Sequence, residues 1–225
     1  MLNDNLDAHR DQLFAQFYPK TTDNSLPDGW EYKTIEQLNC LITDYVANGS
    51  FQSLADNVEY QEKDTGNVLI RLTDNNSNYA GKFVFITDEA YEFLSKSKLY
   101  GGEIIIANVG VNVGTTFRCP TLDYKMSLAP NAIMIRDEQY QEYLYAFFRC
   151  SIGQRALQEL VTGSAQPKYN KTSLRKLRIA FPDNHESLSR FMDLVKRFYR
   201  IQEENNQEIR SLYKLQTILL QELSR

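Results

Sequence analysis

The residue types that carry most enzymatic chemistry are few in this chain and stand far apart. His9 and His185 have no further histidine and no cysteine pair beside them, which leaves nothing from which to build a triad or a metal cluster. Asp28, Glu31 and Lys33 superficially resemble a metal-dependent nuclease motif, but their spacing leaves little room for the strand geometry of such a site. No GxxxxGK[ST] loop is present to bind nucleotide phosphates. We therefore expect no catalytic residues, no metal and no cofactor, and a nuclease or hydrolase that uses Glu31 or Lys33 is the enzymatic alternative.

Positive charge is concentrated in the middle of the chain. The net charge is −4, yet residues 96–182 contain 12 basic and 6 acidic side chains, whereas residues 1–95 contain 6 and 16. A local basic surface can bind the phosphates of nucleic acid even on an acidic protein. The alternative reading is a solvated surface that happens to be basic.

This basic region offers side chains suited to contact with double-stranded DNA. Lysine and arginine bind phosphates, while amide and hydroxyl side chains in loops can read base edges. The candidates for phosphate contact are Lys96, Lys98, Arg118, Lys125, Lys168, Lys171 and Arg175. The candidates in predicted loops that could read bases include Asn112, Thr115 and Gln166. Taken singly, each of these residues has the alternative reading of an ordinary surface residue.

The elements that would position these side chains form an α+β body, a small twisted sheet with helices, over residues 20–182. Period-two and continuous apolar runs predict strands in NVLIRL, GKFVFI, EIIIANVG, VGTTFRC and APNAIMIR. A helix capped by Thr87 is predicted over Asp88–Lys98, and a longer one, interrupted or bent near Gly153, is predicted over residues 140–160. Residues 44–65 read as a loop, and TSLRKLRIAFP reads as a short helix followed by a strand.

A long helix over residues 183–225 follows the body. Mostly apolar residues recur in alternating steps of three and four, which is the pattern of a coiled coil. The seam consists of Leu188, Phe191, Val195, Phe198, Gln202, Asn205, Ile209, Leu212, Gln216 and Leu219. About 40 helical residues extend roughly 60 Å, so we expect a spacer that also dimerises. Residues 1–19 are predicted to form a helix that packs with this spacer, and the alternative is a long helix that lies entirely on its own body.

The chain is expected to be cytoplasmic and to have no membrane partner. It has no run of 18 or more apolar residues, and its first residues are too acidic for a signal peptide. The three cysteines are widely spaced, which suits reduced thiols.

Four segments, in this order, resemble the specificity subunits of type I restriction-modification systems. They are LPDGWEYKTIEQL (26–38), KLYGGEIIIANVGVNVGTT (98–116), IGQRALQEL (152–160) and TGSAQPKYNKTSLRKLRIAFP (162–182), before a long helix that closes in LQTILLQEL. The resemblance departs from the family pattern in two ways. PDNHES stands where that family has P-x-x-E-Q, and the chain has one recognition domain where a full-length subunit has two.

The resemblance implies a half-length, non-catalytic subunit that reads one half of a bipartite DNA site. It also implies that methyltransferase subunits dock on the chain, that a restriction subunit can join, and that the long helix sets the spacing of the half-sites. We expect a homodimer through this helix, and pairing with another half-subunit is the alternative. The chain could be a natural half-subunit or the second half of a longer subunit. The alternative function is a coiled-coil dimerising module that binds protein and not DNA.

Overall fold

Short apolar runs form eleven strands in the described part of the chain. The computed structural model of the protein describes residues 2–20 and 25–223. The strands are β1 Trp30–Thr34, β2 Leu41–Asp44, β3 Tyr60–Gln61, β4 Asn67–Ile70, β5 Val84–Ile86, β6 Lys98–Leu99, β7 Ile104–Ala107, β8 Thr116–Arg118, β9 Lys125–Leu128, β10 Ala132–Arg136 and β11 Arg178–Pro182. The α-helices are α1 Leu2–Phe17, α2 Phe51–Asn57, α3 Leu72–Asn76, α4 Asp88–Phe93, α5 Gln141–Arg149, α6 Ser151–Glu159, α7 Lys171–Arg175 and α8 His185–Leu223.

The strands form three small sheets. Strands β1 and β11 make an antiparallel pair, and a second sheet has the order β2-β10-β7-β8. The third sheet has the order β3-β5-β4-β9-β6, in which β4 and β9 are parallel. The four-stranded sheet separates two cores, because alternate residues of β7 face opposite sides. Ile104 and Ile106 join the larger core with α5 and α8, whereas Ile105 joins the core of the five-stranded sheet.

Helix α1 lies antiparallel to the first part of α8. Phe17 stacks on Phe191 near one end of α1, with ring centroids 4.4 Å apart. At the other end, Asn3 accepts a hydrogen bond from Asn205 at 2.9 Å. Gln202 donates to Asp7 at 2.9 Å. Two of the three polar residues of the predicted seam, Gln202 and Asn205, therefore find partners on α1 of the same chain.

Helix α8 divides into an inner segment, residues 185–210, and an outer segment, residues 211–223. Leu188, Phe191 and Val195 are buried in the chain's own core with α1 and α5, and Phe198 is half-buried. By contrast, every residue of the outer segment is exposed. The seam thus packs on its own body at first and then projects from it.

The α+β class and the long final helix predicted from the sequence are confirmed. The Thr87 cap is present, because its side chain accepts a hydrogen bond from Ala90 N. The prediction of a loop over residues 44–65 was wrong, since this stretch contains α2 and β3. Its helix is short and its N-cap, Ser50, follows a polar segment, so periodicity was too weak to reveal it. The predicted interruption near Gly153 is present as a break at Cys150, between α5 and α6. Of the predicted terminal segments, Met1 and residues 224–225 lie outside the described residues, as do residues 21–24.

Candidate nucleic-acid interface

Two loops that are far apart in sequence meet beyond the end of β7. We call them the loop cluster, residues 109–115 and 162–168. Gly110 N donates to Pro167 O at 2.8 Å. The backbone of Lys168 forms isolated antiparallel β-bridges with Val109 and with Thr162. It exchanges two hydrogen bonds with Thr162, of 2.8 and 2.9 Å. The two segments therefore form one structural unit.

Helix α6 holds the first loop in place. Gly114 adopts a φ of +92°, which strongly favours glycine, and its N–H donates to Ala107 O at 2.8 Å. Gln154 and Gln158 on α6 donate to the carbonyls of Gly114 and Val113 at 3.1 and 3.0 Å. The loop is thus supported by side chains from a rigid element, as a recognition surface requires.

The loop cluster presents polar side chains to solvent. Asn112, Gln166 and Lys168 are exposed, whereas Thr115 is half-buried. Asparagine and glutamine amides can pair with adenine edges, and a lysine ammonium can bind phosphate. The structure therefore brings together four of the predicted contact residues, and their roles stay predictions.

Lys171 and Arg175 lie on α7, where they contact the edge of the four-stranded sheet. Lys171 Nζ lies 2.7 Å from Asp44 Oδ1, and Arg175 Nη2 donates to Ile42 O at 3.1 Å. Lys168, by contrast, has no ion pair among the described residues. These contacts attach α7 to β2, so Lys168 is the most available cation of the three.

Lys98 and Lys125 lie around Tyr91, away from the loop cluster. Their ammonium nitrogens are 4.3 and 5.6 Å from the centre of its ring. Lys98 pairs with Glu92 at 2.6 Å, and this hydrogen bond raises the pKa of Lys98. Lys125 pairs with Asp88 at 3.1 Å, and the third member of this group, Lys96, is exposed. Two of these three lysines are therefore ion-paired, and Lys96 is the most available cation of the group.

Arg118 lies in a different environment from the other candidates. Its guanidinium forms two hydrogen bonds with Glu142, of 2.7 and 2.8 Å, and lies 4.6 Å from the centre of the Tyr199 ring. It lines a cleft beside α8 together with Arg149 and Lys196. Sequence reasoning missed these two residues, because nothing in their local pattern shows that α5, α8 and β8 converge.

Two further properties concern the described residues alone. In residues 2–20 and 25–223, no group of three or more His, Cys, Asp or Glu side chains is placed to hold a metal ion. Over the same ranges, no helix combines the length and the apolar character needed to cross a membrane.

Comparison with solved structures shows similarity to type I system proteins. The HsdS subunit from Thermoanaerobacter tengcongensis is 15% identical, with a TM-score of 0.51 over 95% of this chain and 50% of that one. A chain from a study of complex assembly and conformational transition of the type I R-M system is 14% identical, with a TM-score of 0.54 over 95% of this chain and 50% of that one. The present chain therefore spans about half the length of these proteins. No curated protein sequence matches it.

The family comparison covers most of the chain. Residues 27–211 match the family described as the type I restriction modification DNA specificity domain. This range includes both loops of the cluster, all three sheets and most of α8. The chain belongs to the family of type I restriction-modification DNA specificity domains.

Proposed function

We propose that this chain is the DNA-recognition subunit of a type I restriction-modification enzyme and that it reads one half of a bipartite site. The loop cluster carries this proposal, because it joins exposed amide side chains on a supported scaffold with a lysine that has no ion pair among the described residues. In this role Asn112 and Gln166 contact base edges while Lys168 binds a backbone phosphate.

In this proposal the chain supplies recognition and its partners supply catalysis. Methyltransferase subunits dock on it in the cytoplasm, and a restriction subunit can join the same assembly. Of the three lysines near the five-stranded sheet, the exposed Lys96 binds a phosphate outside the half-site, whereas Lys98 and Lys125 are held by Glu92 and Asp88. The family membership and the half-length match support these assignments.

In the same proposal, the outer segment of α8 pairs with a second helix. Leu212 and Leu219 of the predicted seam are 58% and 49% exposed, and Leu223 is 85% exposed. A projecting helix with so many exposed leucines is poorly stable alone and prone to association. A second copy of the chain, paired antiparallel, would place two recognition domains at opposite ends of the assembly.

Methylation by the reconstituted assembly tests this function. A host that expresses the chain with its methyltransferase is expected to acquire methylation at one bipartite sequence, which methylome sequencing would identify. Asn112→Ala and Gln166→Ala should relax the sequence of the half-site while methylation persists. Methylation that requires the chain but has an unchanged motif in both variants would remove the loop cluster from base recognition.

A coiled-coil protein-binding module is the second candidate function. The exposed apolar outer segment favours it, because such a surface can bind a partner helix whether or not DNA is bound. A gel shift of the chain and its methyltransferase on random duplexes separates the two functions. Only DNA recognition produces a retarded complex that depends on this chain.

A further inference from the structure

A polar cleft of about 1060 Å³ separates α8 from the recognition body. One wall consists of α8 and the first turns of α1, and the other consists of residues in the ranges 75–79 and 117–121. Strand β8 connects this cleft to the loop cluster, because Thr116 follows the loop and Arg118 lines the cleft. The cleft is therefore a separate site at the far end of that strand.

Several hydrogen-bond donors at this cleft have no acceptor within the described part of the chain. The Tyr199 hydroxyl is buried and has no partner in residues 2–20 and 25–223, and the same is true of Arg149 Nε. Arg210 Nη1 lies next to Thr121 and Glu203 of the lining and likewise has no partner among the described residues. A buried donor without an acceptor destabilises the folded chain. A ligand rich in oxygen acceptors would satisfy such groups.

Most carboxylates that line the cleft are ion-paired, whereas two of its lining cations are not, among the described residues. Among its lining carboxylates, Asp7 pairs with Arg149 at 3.4 Å and Glu142 pairs with Arg118 at 2.7 Å. Glu203 pairs with Arg210 at 2.9 Å. Two further lining residues, Lys196 and Arg197, are exposed on α8 and form no ion pair within the part of the chain that the structure describes. These two positive charges outnumber the one remaining negative charge of the lining, that of Asp193. The cleft therefore favours an anion.

The opposite wall adds amide and aromatic groups on a strained loop. Asn78 and Tyr79 are consecutive left-handed residues, with φ of 51° and 59°. Non-glycine residues adopt this conformation at a cost, and such strain is concentrated at functional sites. Both side chains line the cleft together with Asn75. Amides and tyrosines commonly accompany arginine and lysine around nucleic-acid phosphates.

From these features we propose that the cleft binds a phosphate group, which belongs either to a nucleic-acid strand or to a free phosphate compound. Lys196 and Arg197 supply the charge, and the Tyr199 hydroxyl donates a hydrogen bond to a phosphate oxygen. The strand form rests on the proposed function, because it assumes that nucleic acid lies on this protein. The free-phosphate form does not depend on it.

Isothermal titration of the full chain tests the site with two probes, inorganic pyrophosphate and a thymidine tetranucleotide. The unaltered chain is expected to bind at least one of them saturably. A double substitution, Lys196→Gln with Arg197→Gln, should weaken binding at least about tenfold, and Tyr199→Phe about tenfold, the usual worth of a hydrogen bond to a charged group. Lys214→Gln, an exposed residue further along α8, is the matched control and should bind like the parent.

The two probes distinguish the sources of the phosphate. Binding of pyrophosphate alone indicates a free phosphate compound, and stronger binding of the tetranucleotide indicates a strand. Absence of binding by both probes, or equal binding by the parent and the double variant, would overturn the inference. Because Lys196 and Arg197 are exposed, the double variant should fold even if Tyr199→Phe does not. Loss of duplex recognition with pyrophosphate binding intact would overturn only the proposed function.

Discussion

At the scale of single residues, the predicted DNA contacts differ in whether their charged groups are already paired within the chain. Lys168→Gln is expected to weaken duplex binding and to lower the slope of log affinity against log salt by about one, because one phosphate contact is lost. Lys82→Gln, at an exposed lysine two residues before β5, is the control. Binding measured at several salt concentrations checks this, and an unchanged slope would remove Lys168 from the interface.

Lys171 was predicted alongside Lys168, but its ion pair with Asp44 holds its ammonium group against β2. The two residues are 127 positions apart, so no local pattern in the sequence could have shown the pair. The residue types and their placement in loops were predictable. Which cations are free was not, since that depends on contacts between distant segments.

Tyr18 gives a residue-scale prediction for stability. Its hydroxyl accepts a hydrogen bond from Ala180 N at 3.0 Å, and burial raises its pKa to about 12 from the usual 10.0. The folded state therefore favours the neutral phenol. The contribution of the neutral phenol to the unfolding free energy is fully present below pH 10. It is lost as pH rises from 10 to 12, and the loss is on the order of 2 kcal/mol. Urea unfolding at these pH values should show the decline.

The Tyr18→Phe variant tests that assignment. It should lose some stability at neutral pH and show a shallower decline above pH 10. Burial also raises the pKa of Tyr45 to about 12, so part of the decline will remain. Tyr213→Phe, on the exposed part of α8, is the matched control. An unaltered decline in Tyr18→Phe would mean that another group causes the alkaline loss.

At the scale of elements, the junction of α5 and α6 connects folding to the loop cluster. A Cβ on Gly153 would lie 2.0 Å from Phe147 O, so Gly153→Ala forces the two helices apart. We expect a loss of about 2–3 kcal/mol in unfolding free energy, as for other overpacked sites. We also expect weaker DNA binding, since Gln154 and Gln158 on α6 support residues 113–114.

Gly81→Ala is the control for this prediction. An added Cβ there meets only the side chain of Ser77, whose Oγ is 3.2 Å away. It should change stability little. A Gly153→Ala chain as stable as the parent would show that the junction relaxes at small cost.

Individual strands and helices were largely predictable because their apolar periods are strong. The predicted runs EIIIANVG and APNAIMIR contain β7 and β10, which pair antiparallel in the buried sheet. Neither the meeting of the two loops nor the cleft was predictable. Both arise from backbone contacts between distant segments, such as that of Gly110 with Pro167, and these leave no period in the sequence.

At the scale of the whole molecule, one heptad pattern runs through both the inner segment of α8, which packs on the body, and the outer segment, which is exposed. The pattern predicted a continuous seam, but it could not show that α1 covers residues such as Phe191 in the same chain. The outer segment is the part left for a partner. Leu212→Glu with Leu219→Glu should therefore convert a dimer to a monomer, as measured by sedimentation equilibrium, because charges at seam positions oppose pairing.

The control for pairing is Leu41→Glu, an exposed leucine on the sheet, 47% accessible, outside the helix. This variant should retain the mass of the parent. A parent chain that is monomeric at all concentrations when free of methyltransferase would contradict self-pairing. Pairing with a different half-subunit would then be the form of the proposal to test.

The spacing of the half-sites is the property that the outer segment should control. Removal of residues 211–217 takes out one heptad, so the apolar stripe stays on the same side of the helix. The helix shortens by roughly 10 Å, which corresponds to about three base pairs at 3.4 Å each. Residues 199–210 are left intact because several of them line the cleft or contact α1. Methylome sequencing should show a changed gap between two unchanged half-sites. A deleted chain that still pairs and methylates with the original gap would show that α8 does not measure the distance.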